Sequence, residues 1–173
     1  MKKMVLVPIM VLALLFVVAP VMARMKGATR IYGAGEYFGD VIDPGKQWVS
    51  EEGIVQVRDG LGNGTMTGDI PGFMVFTMNV AFDPTTGKGR IWGKFVAGDS
   101  FGNTFEGTFL AAISDWGTID GKGVGQGTGA FEGMLLKNGF SGYNAYFGLP
   151  LPPYPMDTPI YFYWDGYILS PHS

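Results

Sequence analysis

Side chains along a β-strand point alternately to its two faces, and this chain alternates over several runs. Between Phe73 and Asp83 the even positions Met74, Phe76, Met78, Val80 and Phe82 are all apolar, while the odd ones include Thr77, Asn79 and Asp83. The pattern predicts a strand whose even face is buried. In Gly89–Ala97, Ile91, Phe95 and Ala97 take the inner side and Arg90 and Lys94 the outer. In the last run Ile160, Phe162, Trp164 and Ile168 oppose Tyr161, Tyr163, Asp165 and Tyr167. From Gly27 onward such runs are broken by Gly, Asp-Gly, Asn-Gly and Asp-Pro, and no segment after residue 24 holds a helical apolar period over three turns. The chain therefore reads as all-β, a single antiparallel barrel of roughly six to eight strands or a strongly curved sheet.

The breaks carry turn chemistry. Asp59-Gly60 to Asn63-Gly64 can take positive φ at several places, which predicts a hairpin between Ile54–Arg58 and Thr65–Asp69. Asp83-Pro84-Thr85-Thr86-Gly87 predicts a second, with Pro84 supplying a fixed φ. Leu149–Pro159 holds prolines at 150, 152, 153, 155 and 159, which predicts an extended connection rather than a strand.

Glycine modifies this picture most. Positions 121, 123, 125, 127 and 129 are all Gly, with Lys122, Val124, Gln126 and Thr128 between them. A flexible linker has no reason to keep a strict period of two, so the stretch is expected to be a strand with one bare face. Turned inward, that face lets a sheet coil tightly or leaves room for a ligand or large side chains opposite. Gly123, Gly125 and Gly127 are the expected pocket wall. A second regularity lies nearby: Thr104–Leu110 echoes Ala130–Leu136, and the echo predicts two strands with Phe105 and Phe131 inward.

The N-terminus has a different pattern. Lys2 and Lys3 precede an almost unbroken apolar run, Met4–Met22, and Val21-Met22-Ala23 places small residues where a signal peptidase cuts. The expectation is an exported protein whose signal helix, residues 1–23, is removed after Ala23. An uncleaved anchor is the alternative, and Pro8 and Pro20 interrupt such a helix. Membrane contact is expected only through this segment. Cleavage leaves residues 24–173, a single domain long enough to bury a core.

Charge and composition narrow the chemistry. Loss of Lys2 and Lys3 takes the formal charge from −3 to −5, and an acidic domain without a basic cluster is not built for nucleic acid. Without cysteine there is no disulfide or thiolate chemistry. The single histidine is His172, next to the C-terminal residue, so zinc sites, His-based triads and imidazole proton shuttles are not expected. No metal or cofactor is called for.

The stretch Gly123–Gly133, with Gly127-Thr128-Gly129-Ala130-Phe131-Glu132-Gly133 at its end, follows the Phe105-Glu106-Gly107-Thr108 strand. It resembles a Gly-Thr-Gly-x-Phe-x-Gly strand of small secreted eight-stranded barrels, the allene oxide cyclase and dirigent group and related bacterial families. The resemblance implies a barrel that holds hydrophobic ligands or reactive intermediates inside. It covers about one-fifth of the domain, transfers no catalytic residue, and bears on fold more than activity.

Individual candidates are weighed against simpler roles. Glu106 and Glu132, at equivalent places in the echo, could serve as a paired acid and base. Alternation sets both opposite Phe105 and Phe131, on the outer face, where solvated surface is the simpler role. Asp59–Gly64 superficially matches a calcium loop, but Leu61 and Ile70 stand where oxygen ligands are required. Gly125-x-Gly127-x-x-Ala130 has no following helix and is no dinucleotide site. Asn63-Gly64-Thr65 is an acceptor sequon on the expected turn. The tryptophans and tyrosines suit core and cross-strand pairing as well as a carbohydrate or lipid surface.

Three functions follow as expectations. The first is a non-enzymatic secreted or envelope barrel that binds a small apolar ligand or a partner. The second is a cyclase- or dirigent-type enzyme using Asp, Glu, Tyr or Lys in a confined pocket. The third is a purely structural envelope protein with a filled interior.

Overall fold

The computed structural model describes residues 25–114, 117–143 and 160–171. The signal segment and its cleavage site, Trp116 and the proline-rich connection lie outside these residues. The described chain is all-β, with nine strands: β1 Met25–Asp43, β2 Lys46–Val49, β3 Val55–Gly68, β4 Gly72–Asp83, β5 Lys88–Gly98, β6 Thr104–Ser114, β7 Thr118–Gly127, β8 Leu135–Tyr143 and β9 Ile160–Pro171. A single 3-10 turn, Gly129–Phe131, lies between β7 and β8.

All strand pairs are antiparallel, in the order β1-β9-β8-β7-β6-β5-β4-β3-β2, and β1 also pairs with β3. The sheet therefore returns on itself in a ring-like arrangement of eight strands, with β2 as a ninth. This exceeds the six to eight strands expected, and the reason lies on β3. Its second half, Asn63–Gly68, pairs with Phe38–Gly33 of β1, whereas its first half, Val55–Arg58, pairs with Val49–Lys46 of β2. The jog between β1 and β2 is made at Pro44-Gly45. Gly45 has φ +69°, its N–H donates to Asp43 Oδ1 at 2.8 Å, and a Cβ there would strike the Arg58 carbonyl.

The expected hairpin at Asp59–Gly64 does not form. These residues lie inside β3, and the turn signals mark a bulge: the register against β4 shifts between Val57 and Gly60, where Asp59 has φ +56°. Asp tolerates this left-handed backbone better than most residues. Gly62 and Gly64 are buried and pair with Phe76 and Met74 of β4. The real β3–β4 turn falls later, between Gly68 (φ +101°) and Gly72 (φ +146°). Asn63 is thus a strand residue with a buried, unpartnered Oδ1, which corrects the exposed-turn setting expected for its sequon.

The Asp83–Gly87 hairpin forms as predicted. Asp83 Oδ1 accepts from Thr85 N and Oδ2 from Thr86 Oγ1, each at 2.8 Å, and Gly87 takes φ +69°. These donors hold the Asp83 carboxyl below its ordinary range, the Thr85 N–H first.

The inner faces follow the alternation. Phe76, Val80 and Phe82 of β4, Ile91, Phe95 and Ala97 of β5, and Trp164 of β9 are buried. Two apolar clusters stack along the ring interior. One centres on Phe76, Phe95, Phe105, Leu136 and Trp164; the other on Val55, Val80, Phe82, Ile91 and Ile113. Met78, Phe109 and Phe140 touch both.

Candidate ligand-binding cavity

Between the two clusters the interior is not filled. A cavity of about 140 Å³ lies there, walled by inward side chains of β3 to β9, among them Met66, Met74, Met78, Phe109, Phe140 and Trp164. Its position follows from the glycines. Gly121, Gly123 and Gly125 of β7 lie on the inward face that they share with buried Ile119. A Cβ on Gly121 would strike the Phe140 ring, one on Gly123 would lie 2.6 Å from Asn138 Oδ1, and one on Gly125 would lie 3.0 Å from Phe95 Cζ. The bare face thus receives large neighbours that lean over it, leaving no ring pointing from β7 into the centre.

Other strands of the ring use the same device. Gly33 and Gly35 of β1 pair with Trp164 and Phe162 of β9, and those rings occupy the positions where a Cβ would stand. Gly93 of β5 lies under Phe109, with 3.0 Å from its would-be Cβ to Phe109 Cε1. Aromatic side chains covering cross-strand glycines are a recognised way to hold a curved sheet.

Of the three glycines expected to form the wall, Gly123 lines the cavity. Gly125 is buried one step away against Phe95, and Gly127 ends β7, packed under the Phe131 backbone. The strand does not continue through Gly129, which takes φ +61° and opens the 3-10 turn. Phe131 accordingly belongs to that turn instead of a second echoing strand, and reaches the core by stacking on Phe105, ring centroids 4.8 Å apart at 12°. The turn is sewn to the start of β6 and the loop before it: Thr128 N donates to the Thr104 carbonyl at 2.8 Å and Ala130 N to Asn103 Oδ1 at 2.8 Å.

Glu106 and Glu132 are not neighbours across the sheet. Glu106 lies exposed on β6 between Val96 and Gln126, and Glu132 is the exposed residue that ends the 3-10 turn. The expected equivalence fails because Ala130–Glu132 leaves the strand conformation. Neither carboxylate lines the cavity. Tyr32, Tyr143, Tyr161, Tyr163 and Tyr167 are all exposed, and a hydrogen bond from Tyr161 to Glu36, with the negative charge of Glu36 beside it, raises the Tyr161 pKa.

The wall is apolar except at two points. Asn138 of β8 sits between Gly123 of β7 and Gly166 of β9 in the register, on the inward face shared with Leu136 and Phe140. Its Oδ1 is buried against Gly123 with no hydrogen-bond partner among the described residues, and Trp164 Nε1 is likewise buried and unpartnered among them. An unmet buried polar atom costs about 1–3 kcal/mol. Alternation placed Trp164 inside in advance; Asn138 escaped notice, although a lone polar residue alternating with Leu136 and Phe140 was the available signal. No titratable side chain lines the cavity among the described residues.

On the outer face a different set assembles. The Arg58 guanidinium lies 5.5 Å from the Trp48 ring and 4.9 Å from Trp92, with Arg90 4.9 Å from Trp92 and Lys46 5.4 Å from Trp48. Arg58 also donates to the Val57 and Val80 carbonyls at 2.8 and 2.9 Å, so it ties β2 and β3 to β4 and β5.

Comparison with family models, with curated proteins and with solved structures finds no match, so the function is argued from this geometry.

Proposed function

We propose that the chain is an exported, water-soluble β-barrel that binds a small apolar ligand inside. The observation that carries this reading is the 140 Å³ apolar cavity between the two core clusters. A dry cavity of about 150 Å³ lined by Leu, Ile and Phe is known to take benzene, so the volume suits one small ring or a short chain. Met66, Met74 and Met78 in the wall are unbranched and adaptable, which suits a guest of imperfect shape.

The strand pairing supports a barrel, since β1 has neighbours on both sides and β9 and β3 are both held by it. The outward face supports solubility. Arg90, Lys94, Glu106, Lys122, Gln126 and Lys137 point away from the core, the reverse of a membrane barrel, in which charges on the lipid side cost about 2–4 kcal/mol at mid-depth. Export rests on Lys2–Ala23, and mass spectrometry of the mature protein is expected to begin at Arg24.

Asn138 is the one observation that favours the cyclase or dirigent reading, which needs a polar group in the pocket. An amide does not titrate near neutral pH and can orient a substrate but not exchange its proton. Binding is therefore the better-supported function. It is tested by melting the protein with and without saturating toluene. A ligand confined to the folded state raises the midpoint, and Gly123→Leu, which fills the cavity from β7, is expected to abolish the rise. The control Gln126→Leu, on the outer face, keeps it. No rise in the parent protein would return the interior to a purely structural role.

A further inference from the structure

The outer face of β1, β9 and β8 carries a chemistry that the rest of the described sheet lacks. The chain has eight tyrosines, and none lies between Tyr37 and Tyr143, so β2 to β7 contain none. Five of the eight, Tyr32, Tyr143, Tyr161, Tyr163 and Tyr167, stand on this one face, each between 48% and 73% exposed. We propose that the face is a glycan-binding platform that takes an extended, neutral, β-linked polysaccharide of the cellulose or chitin kind along β9.

The strand register lays the platform out. Along β9 the outward positions are Tyr161, Tyr163, Asp165 and Tyr167, while Phe162 and Trp164 between them line the interior cavity. Tyr161 has Tyr143 of β8 beside it, and Asp165 has Tyr32 of β1. Tyr163, the most exposed of the five, lies between Ala34 and Ser141, whose small side chains leave it standing clear. From the rise of a strand and the spacing between strands, the platform is about 20 Å long and about 10 Å wide, room for several sugar rings in line.

The composition of the face decides the partner. A pyranose presents C–H groups of slight positive charge, which pack on the negative face of an aromatic ring, and hydroxyls, which need both donors and acceptors. The tyrosine rings meet the first need and the side chains set among them meet the second. Arg30 and Asp165 form an ion pair at 3.7 Å, with side chains 70% and 64% exposed. Glu36 accepts a hydrogen bond from the Tyr161 hydroxyl, and Lys137 lies beside Tyr167. Two cations and two carboxylates balance, so nothing here draws a polyanion. The same groups tell against a protein or a membrane. A protein interface keeps charge out of its core, whereas Asp165 sits between Tyr163 and Tyr167, and exposed Val49, Leu110 and Val124 are all on other strands. Against a membrane, carboxylates among the rings would meet anionic headgroups.

The test is retention of the purified protein on insoluble cellulose and chitin, with calorimetric titration by cellohexaose and chitohexaose. Saturable binding to one of the two is expected, undiminished in about 1 M salt, where charge attraction is screened within about 3 Å. Maltohexaose, whose α-linked chain coils, and polygalacturonate, a polyanion, bind about tenfold more weakly or not at all. Tyr163→Ala lowers the affinity by about tenfold, the loss of one stacked ring, and Tyr163→Trp retains it. Tyr32→Ala, on a different strand, is the second variant should Tyr163→Ala melt early, and Gln126→Leu, on the outer face of β7, is the unaffected control. Retention on neither polysaccharide overturns the proposal, as does retention of both alanine variants equal to that of the parent protein. Binding to phosphatidylglycerol vesicles, or self-association, in place of glycan binding overturns it too, and its loss in Tyr163→Ala would assign the face to a membrane or to a second copy. None of these outcomes bears on the interior cavity.

Discussion

Gly125 and Gln126 are adjacent, and only one of them can accept a larger side chain. A Cβ on Gly125 already lies 3.0 Å from Phe95 and 3.2 Å from the Glu106 carbonyl, so Gly125→Leu is expected to cost about 1–3 kcal/mol by overpacking. Gln126→Leu faces water and is expected to stay within about 0.5 kcal/mol. Urea titrations of the two variants check the contrast, and equal, silent behaviour would show that the glycine face is not inside. Asp99 gives a second prediction at this scale. The side-chain amide of Asn103 donates to its Oδ2 at 2.7 Å, and the backbone N–H groups of Phe101 and Asn103 to its Oδ1 at 2.8 and 3.0 Å. These bonds, the Asn103 amide first, hold its pKa below the ordinary value. The folded state therefore binds this proton less readily than the unfolded chain. Its contribution is complete above the unfolded value of about pH 4 and disappears as the pH falls through the lower folded value. Melts from pH 2 to 6 are expected to show a shallower acid slope in Asp99→Ala than in the parent.

At the scale of elements, β2 depends on side chains more than on its own ladder. Four residues pair it to β3, and Arg58, held between Trp48 and Trp92, clamps it from outside. Cation–π contacts contribute about 0.5–2 kcal/mol depending on exposure, so Arg58→Ala is expected to speed amide exchange in Lys46–Val49 while leaving β7 unchanged. Parallel loss of protection in β7 would show that β2 is not a separable unit. Which elements the sequence made legible follows from their periodicity. β4 has one face apolar throughout from Met74 to Phe82, β5 and β9 keep the same period with glycines set into it, and the glycines of β7 keep it too, so the inward face of each could be assigned from the sequence. β3 could not, because Asp-Gly and Asn-Gly signal a turn, a bulge and a bare strand face with the same residues. Only the pairing of Gly62 with Phe76 and of Gly64 with Met74 decides among them. Phe131 misled for a related reason: an inward phenylalanine can reach the core from a 3-10 turn as well as from a strand. The cavity was foreshadowed by the bare face of β7, but its extent depends on how Phe162, Trp164 and Phe140 lean over glycines of neighbouring strands, which alternation cannot give.

For the whole molecule the decisive pairing is the one that joins the ends. β1 runs along β9 from Met25 to Tyr37, and the two make the most extensive contact between any pair of elements. Removing β9 by stopping the chain before Ile160 opens edges on β1 and β8 and takes Phe162 and Trp164 out of the cavity wall. Such a chain is expected to lose its cooperative melt and to aggregate through those edges, as light scattering and calorimetry would show. The same closure sets an order of events. Neighbouring hairpins from β3 to β8 can assemble as they are made, but the contact between residues near 30 and residues near 168 closes the longest loop in the chain and pays its entropy last. Until the final strand is available, β1 is held on one side only, by β3. A polypeptide with this wiring keeps its ring open until its last strand has been made, so the interior is completed only once the whole chain is present.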